Sequence, residues 1–247
     1  MLAPPSLSSS SSPRSARRLR AADFILIVGL LAAANFGRAA ETNSPFAKWE
    51  QEISAFEASD ITNPPPKEAI VFVGSSSIRM WKNLAKDFPD RAVLNRGFGG
   101  SQIIDSVHFA DRIVLPYAPR QIVMYAGGND INAGKTPEQV FADFKAFVAK
   151  VQAALPATRI AYISSAPNPA RWAQVERVRR LNQLIEEYTR TDSHLDFINV
   201  FPQMLGPDGQ PKPDIFLADR LHMNERGYAL WREIVGGHLL NVPPVKR

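Results

Sequence analysis

Apolar, β-branched runs alternate with amphipathic stretches along most of this chain. Ala69-Ile-Val-Phe-Val-Gly74 is a continuous apolar run closing on glycine. Ser75, Ser76 and Ser77 follow, and a helical pattern begins at Ile78-Arg-Met-Trp81. That order reads as a buried strand, a tight turn and a helix start. The alternation then repeats. Residues 91–95 read as a second strand, ending at Gly97-Phe-Gly-Gly100, and residues 101–115 as a helix with Ser101 a plausible N-cap. Residues 120–126 give a third strand, closing on Gly127-Gly-Asn-Asp130. Thr136-Pro137 opens a helix whose Val140, Phe141, Phe144, Phe147, Val148 and Val151 share one face, with proline at the favoured first position.

A fourth strand over residues 159–165 precedes Pro167-Asn-Pro169, and the helix after it carries Val175, Val178, Leu181, Leu184, Ile185 and Tyr188 on one side. Residues 195–200 form a fifth strand. The proline- and glycine-rich stretch 202–217 is a long irregular loop, of a kind that is usually functional inside a compact domain. A last helix begins near Asn224. Upstream, Phe46, Trp49, Ile53 and Phe56 recur three and four apart, predicting a helix packed on the body and ended by Asn63-Pro-Pro-Pro66. Five strands alternating with helices predict a single three-layer α/β domain with a mainly parallel sheet, over residues 68–247. A helix and linker over residues 41–67 precede it.

Composition changes this picture at one end only. The pI near 9.6 suggests a nucleic-acid binder. However, residues 1–40 hold five arginines against Asp23, which leaves about +1 of the formal +5 for the rest of the chain. A near-neutral body has no electrostatic footprint for DNA or RNA. The basic, serine- and proline-rich lead precedes Phe24-Ile-Leu-Ile-Val-Gly-Leu-Leu-Ala-Ala-Ala34 and the small residues of Gly37-Arg-Ala-Ala40. This pattern predicts a secretory signal peptide cleaved near Ala39 or Ala40, hence a secreted or periplasmic protein with no stable membrane span after cleavage. An uncleaved N-terminal anchor is the competing reading. Cysteine is absent, which excludes disulfides and thiolate metal sites.

Each chemically notable residue follows a strand, and in a parallel sheet those ends share one edge, where ligands bind. A serine hydroxyl is a weak nucleophile until a neighbouring base takes its proton, and Ser76 with its neighbours stands at a helix N-terminus. Of His108, His194, His222 and His238, His222 closes the long loop with Asp219 three residues earlier, a spacing at which a carboxylate can orient the imidazole. Asp105-Ser-Val-His108 repeats the spacing, but within a predicted helix, where a structural pair is the better reading. An oxyanion needs donors aimed in advance, which the Gly100 N–H and the Asn129 amide can supply. Blander readings make Asn129 a turn cap and the Gly97–Gly100 run a plain turn. Arg171 and Trp172 could line a substrate mouth, although packing at a helix start is the simpler reading, and Asp130 reads as securing its turn. The chain carries no G-x-G-x-x-G dinucleotide fingerprint, P-loop or G-x-S-x-G elbow, and no metal-ligand spacing.

Together, Val73-Gly-Ser-Ser-Ser77, Asn95-Arg-Gly-Phe-Gly-Gly100, Gly127-Gly-Asn-Asp130 and Asp219-Arg-Leu-His222 resemble, in order and spacing, the four blocks of the SGNH (GDSL-type) hydrolase family. The resemblance spans roughly residues 68–240. It implies a flavodoxin-like α/β/α fold and hydrolysis of carboxylic esters through an acyl-enzyme, without a cofactor. By position it implies Ser76 as nucleophile, His222 as base, Asp219 as its acid, and Ser76, Gly100 and Asn129 as oxyanion donors. Ser75 departs from the family pattern, which usually has Asp there, and this leaves Ser75 and Ser77 as rival nucleophiles.

The expectation is a secreted esterase acting on short acyl groups of small-molecule or glycan esters, acetyl esters of carbohydrates among them. Lipid substrates of the lysophospholipase or acetylhydrolase type are the near alternative, and a non-catalytic glycan-binding member of the fold the distant one. With His222 as base, activity should rise with pH through the ordinary histidine range, about 6.5.

Overall fold

The computed structural model describes Met1 and residues 44–244. The predicted signal peptide lies outside the described residues. The chain divides into two compact units, Met1–Ala47 and Lys48–Arg247. The second unit holds the sheet and the helices packed on it.

Five strands form one sheet: β1 (Ile70–Gly74), β2 (Val93–Gly97), β3 (Gln121–Tyr125), β4 (Arg159–Ile163) and β5 (Leu195–Ile198). Their order is β2-β1-β3-β4-β5, and all four pairings between these strands are parallel. All five residues of β1 are buried. A central strand covered on both faces must be apolar throughout, which is why it reads as a run rather than an alternation. The register sets Gly74 beside both Gly97 and Tyr125, so the loops that leave β1, β2 and β3 start from one line.

The α-helices among the described residues are α1 (Glu50–Thr62), α2 (Ser76–Arg79), α3 (Leu84–Asp87), α4 (Ile103–Ile113), α5 (Gly128–Asn132), α6 (Pro137–Ala154), α7 (Val175–Thr189) and α8 (Glu225–Gly236). One face of the sheet packs Ile70, Phe72, Val123 and Ile163 into a core with Trp81, Phe88, Trp231 and Val235. Trp81 meets Phe72 edge-on at 5.8 Å and Trp231 at 6.0 Å, contacts that add about 0.5–1.5 kcal/mol each beyond their buried area. Alternate strand residues face the other way, and there Tyr162 meets Phe144 of α6 at 5.0 Å. The α6 start is the predicted one. Thr136 Oγ1 accepts the Gln139 N–H at 3.2 Å while Gln139 Oε1 accepts the Thr136 N–H at 2.8 Å, a reciprocal capping box.

Several expected boundaries move. The second strand runs two residues later than residues 91–95, because Arg96 is buried within it. Its guanidinium is bonded to Asp60 and, at 2.8 Å, to Tyr117 Oη, and lies 5.0 Å from the Phe56 ring. Hydrophobic periodicity has no way to place a buried arginine inside a strand. The N-cap of α4 is Gln102 rather than Ser101, with the Asp105 carboxylate accepting the Gln102 N–H at 2.8 Å. Gly128–Asn132, read as a turn, is a short helix. The N-terminal helix begins at Glu50, so Phe46 lies outside it, and only Ile53 is buried along it. Polar contacts add to its docking: besides Arg96 on Asp60 and Phe56, Arg112 of α4 grips Glu57 with two bonds, at 2.7 and 2.8 Å, and Glu50 at 2.7 Å.

Candidate active site

Gly74 ends β1 at φ +135°, and a Cβ there would sit 2.0 Å from the Tyr125 carbonyl oxygen, so only glycine allows β1 and β3 this close. The Ser75 N–H donates to that same oxygen at 2.9 Å. The chain then turns directly into α2, with Ser75 as N-cap and Ser76 as first helical residue. Ser75 and Ser77 are buried, whereas Ser76 is partly exposed. Its Oγ lies 2.8 Å from His222 Nε2. Of the three serines, Ser76 is the one that meets a histidine.

His222 is held by its own turn. Asp219 Oδ1 accepts the Leu221 and His222 N–H groups, both at 3.0 Å, and Oδ2 lies 2.6 Å from His222 Nδ1. The imidazole hydrogen bond, reinforced by these N–H donors, holds the Asp219 carboxyl down to about 2. It is therefore ionised at any working pH. Between them Arg220 adopts φ +58°, a left-handed conformation that a side chain disfavours. The turn is placed by bonds from Leu217 N–H to the His222 carbonyl at 2.8 Å and from Ala170 N–H to the Arg220 carbonyl at 3.1 Å. Asn224 caps α8 and reaches back to the Asp214 and Phe216 carbonyls at 2.8 and 3.1 Å, which fastens the long loop to the helix after it.

Opposite His222, Asn129 Nδ2 donates to the Ser101 carbonyl at 3.0 Å and Oδ1 accepts from Arg171 Nη1 at 3.0 Å. Arg171 Nη1 also donates to the Gly128 carbonyl at 3.2 Å. The Asn129 amide is thus held at both ends. Asp130, fully buried, accepts the Ile103 N–H at 3.3 Å and contacts Lys135 Nζ at 3.3 Å. Burial pushes its carboxyl up to about 6 against the pull of Lys135. Two neighbouring side chains therefore bind the loop that carries Gly100 and the start of α4. Gly100 adopts φ +75°, and the Trp49 ring would lie 3.4 Å from its Cβ.

A cleft of about 720 Å³, counting the part open to solvent, joins these groups. Ser76, Asn129 and His222 line it with Arg171, Trp172, Tyr125 and an apolar wall that includes Val175, Val178, Met204, Phe216 and Trp231. Gly100 is not among the lining residues. The other histidines lie elsewhere: His108 stands against Phe109, His194 against Asp192, and His238 against Asp196 at 2.7 Å. Among the described residues no three His, Asp or Glu side chains gather as a metal site would require.

The sequence reading of Arg171 and Trp172 as helix-start packing needs correction, since both face the cleft and Arg171 secures Asn129. Asp130 does more than close a turn. The signal is present for Arg171, which follows β4 on the same sheet edge as the other notable residues.

The sequence model of the GDSL-like lipase/acylhydrolase family matches residues 71–230. The chain belongs to this family. It is a hydrolase of ester bonds. The platelet-activating factor acetylhydrolase IB subunit alpha1 of Bos taurus is 28% identical over 172 residues, 64% of this chain and 69% of that one. Among solved structures, a GDSL-like lipase from Bacteroides thetaiotaomicron shares 18% identity with a TM-score of 0.63, covering 78% of this chain and 96% of that one. An acetyl xylan esterase gives 16% and 0.58, covering 69% and 99%. At these identities the two structures speak for the fold, which agrees with the parallel five-stranded sheet flanked by helices.

Proposed function

We propose that Ser76 is the nucleophile of this esterase, with His222 as general base and Asp219 as the acid that orients it. The observation that carries the reading is the continuous hydrogen-bonded chain from Ser76 Oγ to His222 Nε2 at 2.8 Å and from Nδ1 to Asp219 at 2.6 Å. Ser76 Oγ attacks the ester carbonyl carbon as its proton passes to Nε2. The negative charge gathers on the former carbonyl oxygen, which takes hydrogen bonds from the Ser76 and Gly100 N–H groups and Asn129 Nδ2. Collapse of this adduct breaks the bond to the alcohol, which takes the proton from the imidazolium and leaves an acyl-Ser76. A water molecule, deprotonated by the same imidazole, releases the acid. Asp219 stays an anion throughout and stabilises the imidazolium between the two half-reactions.

The acyl group proposed is acetyl or another short chain, and the substrate an acetylated carbohydrate met after export. Supporting the acyl group, the Bos taurus relative is a subunit of an acetylhydrolase, and one similar fold is an acetyl xylan esterase. The N-terminal leader supports export. Acetate release from acetylated glycan should exceed that from acetylated or lyso-phospholipid. The reverse order would replace the carbohydrate reading with the lipid one. For export, the N-terminal sequence of protein recovered outside the cytoplasm should begin near residue 40; one that begins before Phe24 would rule cleavage out.

A further inference from the structure

We propose that Arg171 selects esters whose alcohol portion carries an anionic group, a carboxylate or a phosphate, beside the scissile bond. The inference deepens the Ser76 esterase reading and rests on it.

Arginine has five N–H donors. In Arg171 those of Nη1 hold the Gly128 and Asn129 oxygens, while Nε and Nη2 have no acceptor among the described residues. The side chain forms no ion pair there, and no Asp or Glu lines the cleft. A guanidinium fixed by two carbonyl-type oxygens, half-buried and lacking a counter-charge is unusual, because charge is expensive to desolvate without a partner. Two N–H groups on one edge of its plane suit a bidentate carboxylate or phosphate. The site of the chemistry is close. Arg171 Nη1 is 3.0 Å from the Oδ1 of Asn129, and the nitrogen of that same amide is the candidate oxyanion donor. A short acyl group has no room for the anion, so the charge belongs on the alcohol side, a few bonds from the ester oxygen. The apolar wall formed by Val175, Val178 and Trp231 offers no competing charge.

Two matched pairs test this on the purified full chain by acetate release: O-acetyl glucuronate against its methyl ester, and acetylglycerol 3-phosphate against acetylglycerol. The wild type should favour the charged member of at least one pair by about tenfold or more in kcat/KM, chiefly through KM and less so at high salt. Which pair shows the preference identifies carboxylate or phosphate. Arg171→Gln should bring the members of that pair within about twofold of each other. It should also lower kcat for both, since Asn129 loses its support. Arg171→Lys, which keeps the charge but not the fork, should keep part of the preference. Equal rates on charged and neutral esters by a wild type whose Ser76 still reacts with a fluorophosphonate would overturn the inference and leave the esterase reading standing. Failure of Ser76 to react would remove both.

Discussion

On one side of the Ser76 hydroxyl, the carboxylate bonds stay within four consecutive residues. Asp219 binds two backbone N–H groups and the imidazole of its own turn, and its side chain remains 47% exposed. On the other side, Asn129 and Asp130 reach distant segments at Ser101, Ile103 and Arg171, and Asp130, fully buried, also meets Lys135 five residues on. The proposed base is oriented by a side chain of its own turn, so that side chain can be changed with little effect on the fold. The proposed oxyanion side is assembled from several separate segments, which ties its chemistry to its stability.

The largest way to test that contrast is Ser76→Ala. It should lower kcat by about 10⁴ or more, with an unchanged melting temperature, since it removes the proposed nucleophile and only one partly exposed hydroxyl. Asp219→Asn should cost about 10²–10⁴ in kcat through the wrong imidazole tautomer. Because the turn is exposed, its thermal midpoint should shift by no more than a few degrees. Asn129→Ala should cost about 10²–10³ in kcat, the usual effect of losing one oxyanion donor, the role proposed for this amide. Here the melting temperature should fall as well, because the bonds to Ser101 and Arg171 go with it. If Asn129→Ala lost activity with no loss of stability, the contrast between the two sides would fail.

Asp130→Asn separates stability from chemistry by pH. The folded carboxyl titrates at about 6, above the unfolded value of about 3.9. Folding thus favours its protonated form. The contribution is complete below about pH 4 and is lost as pH rises through 6. Asn does not titrate, so the variant should gain on the wild type by up to about 3 kcal/mol between pH 4 and 6, with a constant difference above. Denaturant midpoints at pH 4, 5 and 7 measure this, and a difference independent of pH would contradict it. The smallest effect is Arg220→Gly, which relieves a left-handed residue in the local turn. A gain of at most about 1 kcal/mol is expected, since glycine also loses more entropy on folding.

The same contrast explains what can be read from the sequence. The His222 turn is legible because its partner lies three residues away and the spacing alone suggests the bond. The five strands are legible because buried parallel strands are largely uninterrupted apolar runs. The second strand is displaced by two residues because Arg96 finds its partners, Asp60 and Tyr117, 36 and 21 positions away. For the same reason the grip of Arg171 on Asn129, 42 residues apart, looks in the sequence like ordinary helix packing. A bond between distant polar residues leaves no periodic trace. The fold and its edge are therefore accessible from pattern, while the support of the proposed oxyanion side shows only in the folded structure.

The measurement closest to the central claim is labelling of the folded protein with a fluorophosphonate, followed by mapping of the modified peptide. An adduct on Ser76 that disappears in His222→Ala is the predicted result, since the proposed activation of the hydroxyl runs through its 2.8 Å hydrogen bond to Nε2. An adduct on Ser75 or Ser77, or none on active protein, would contradict it.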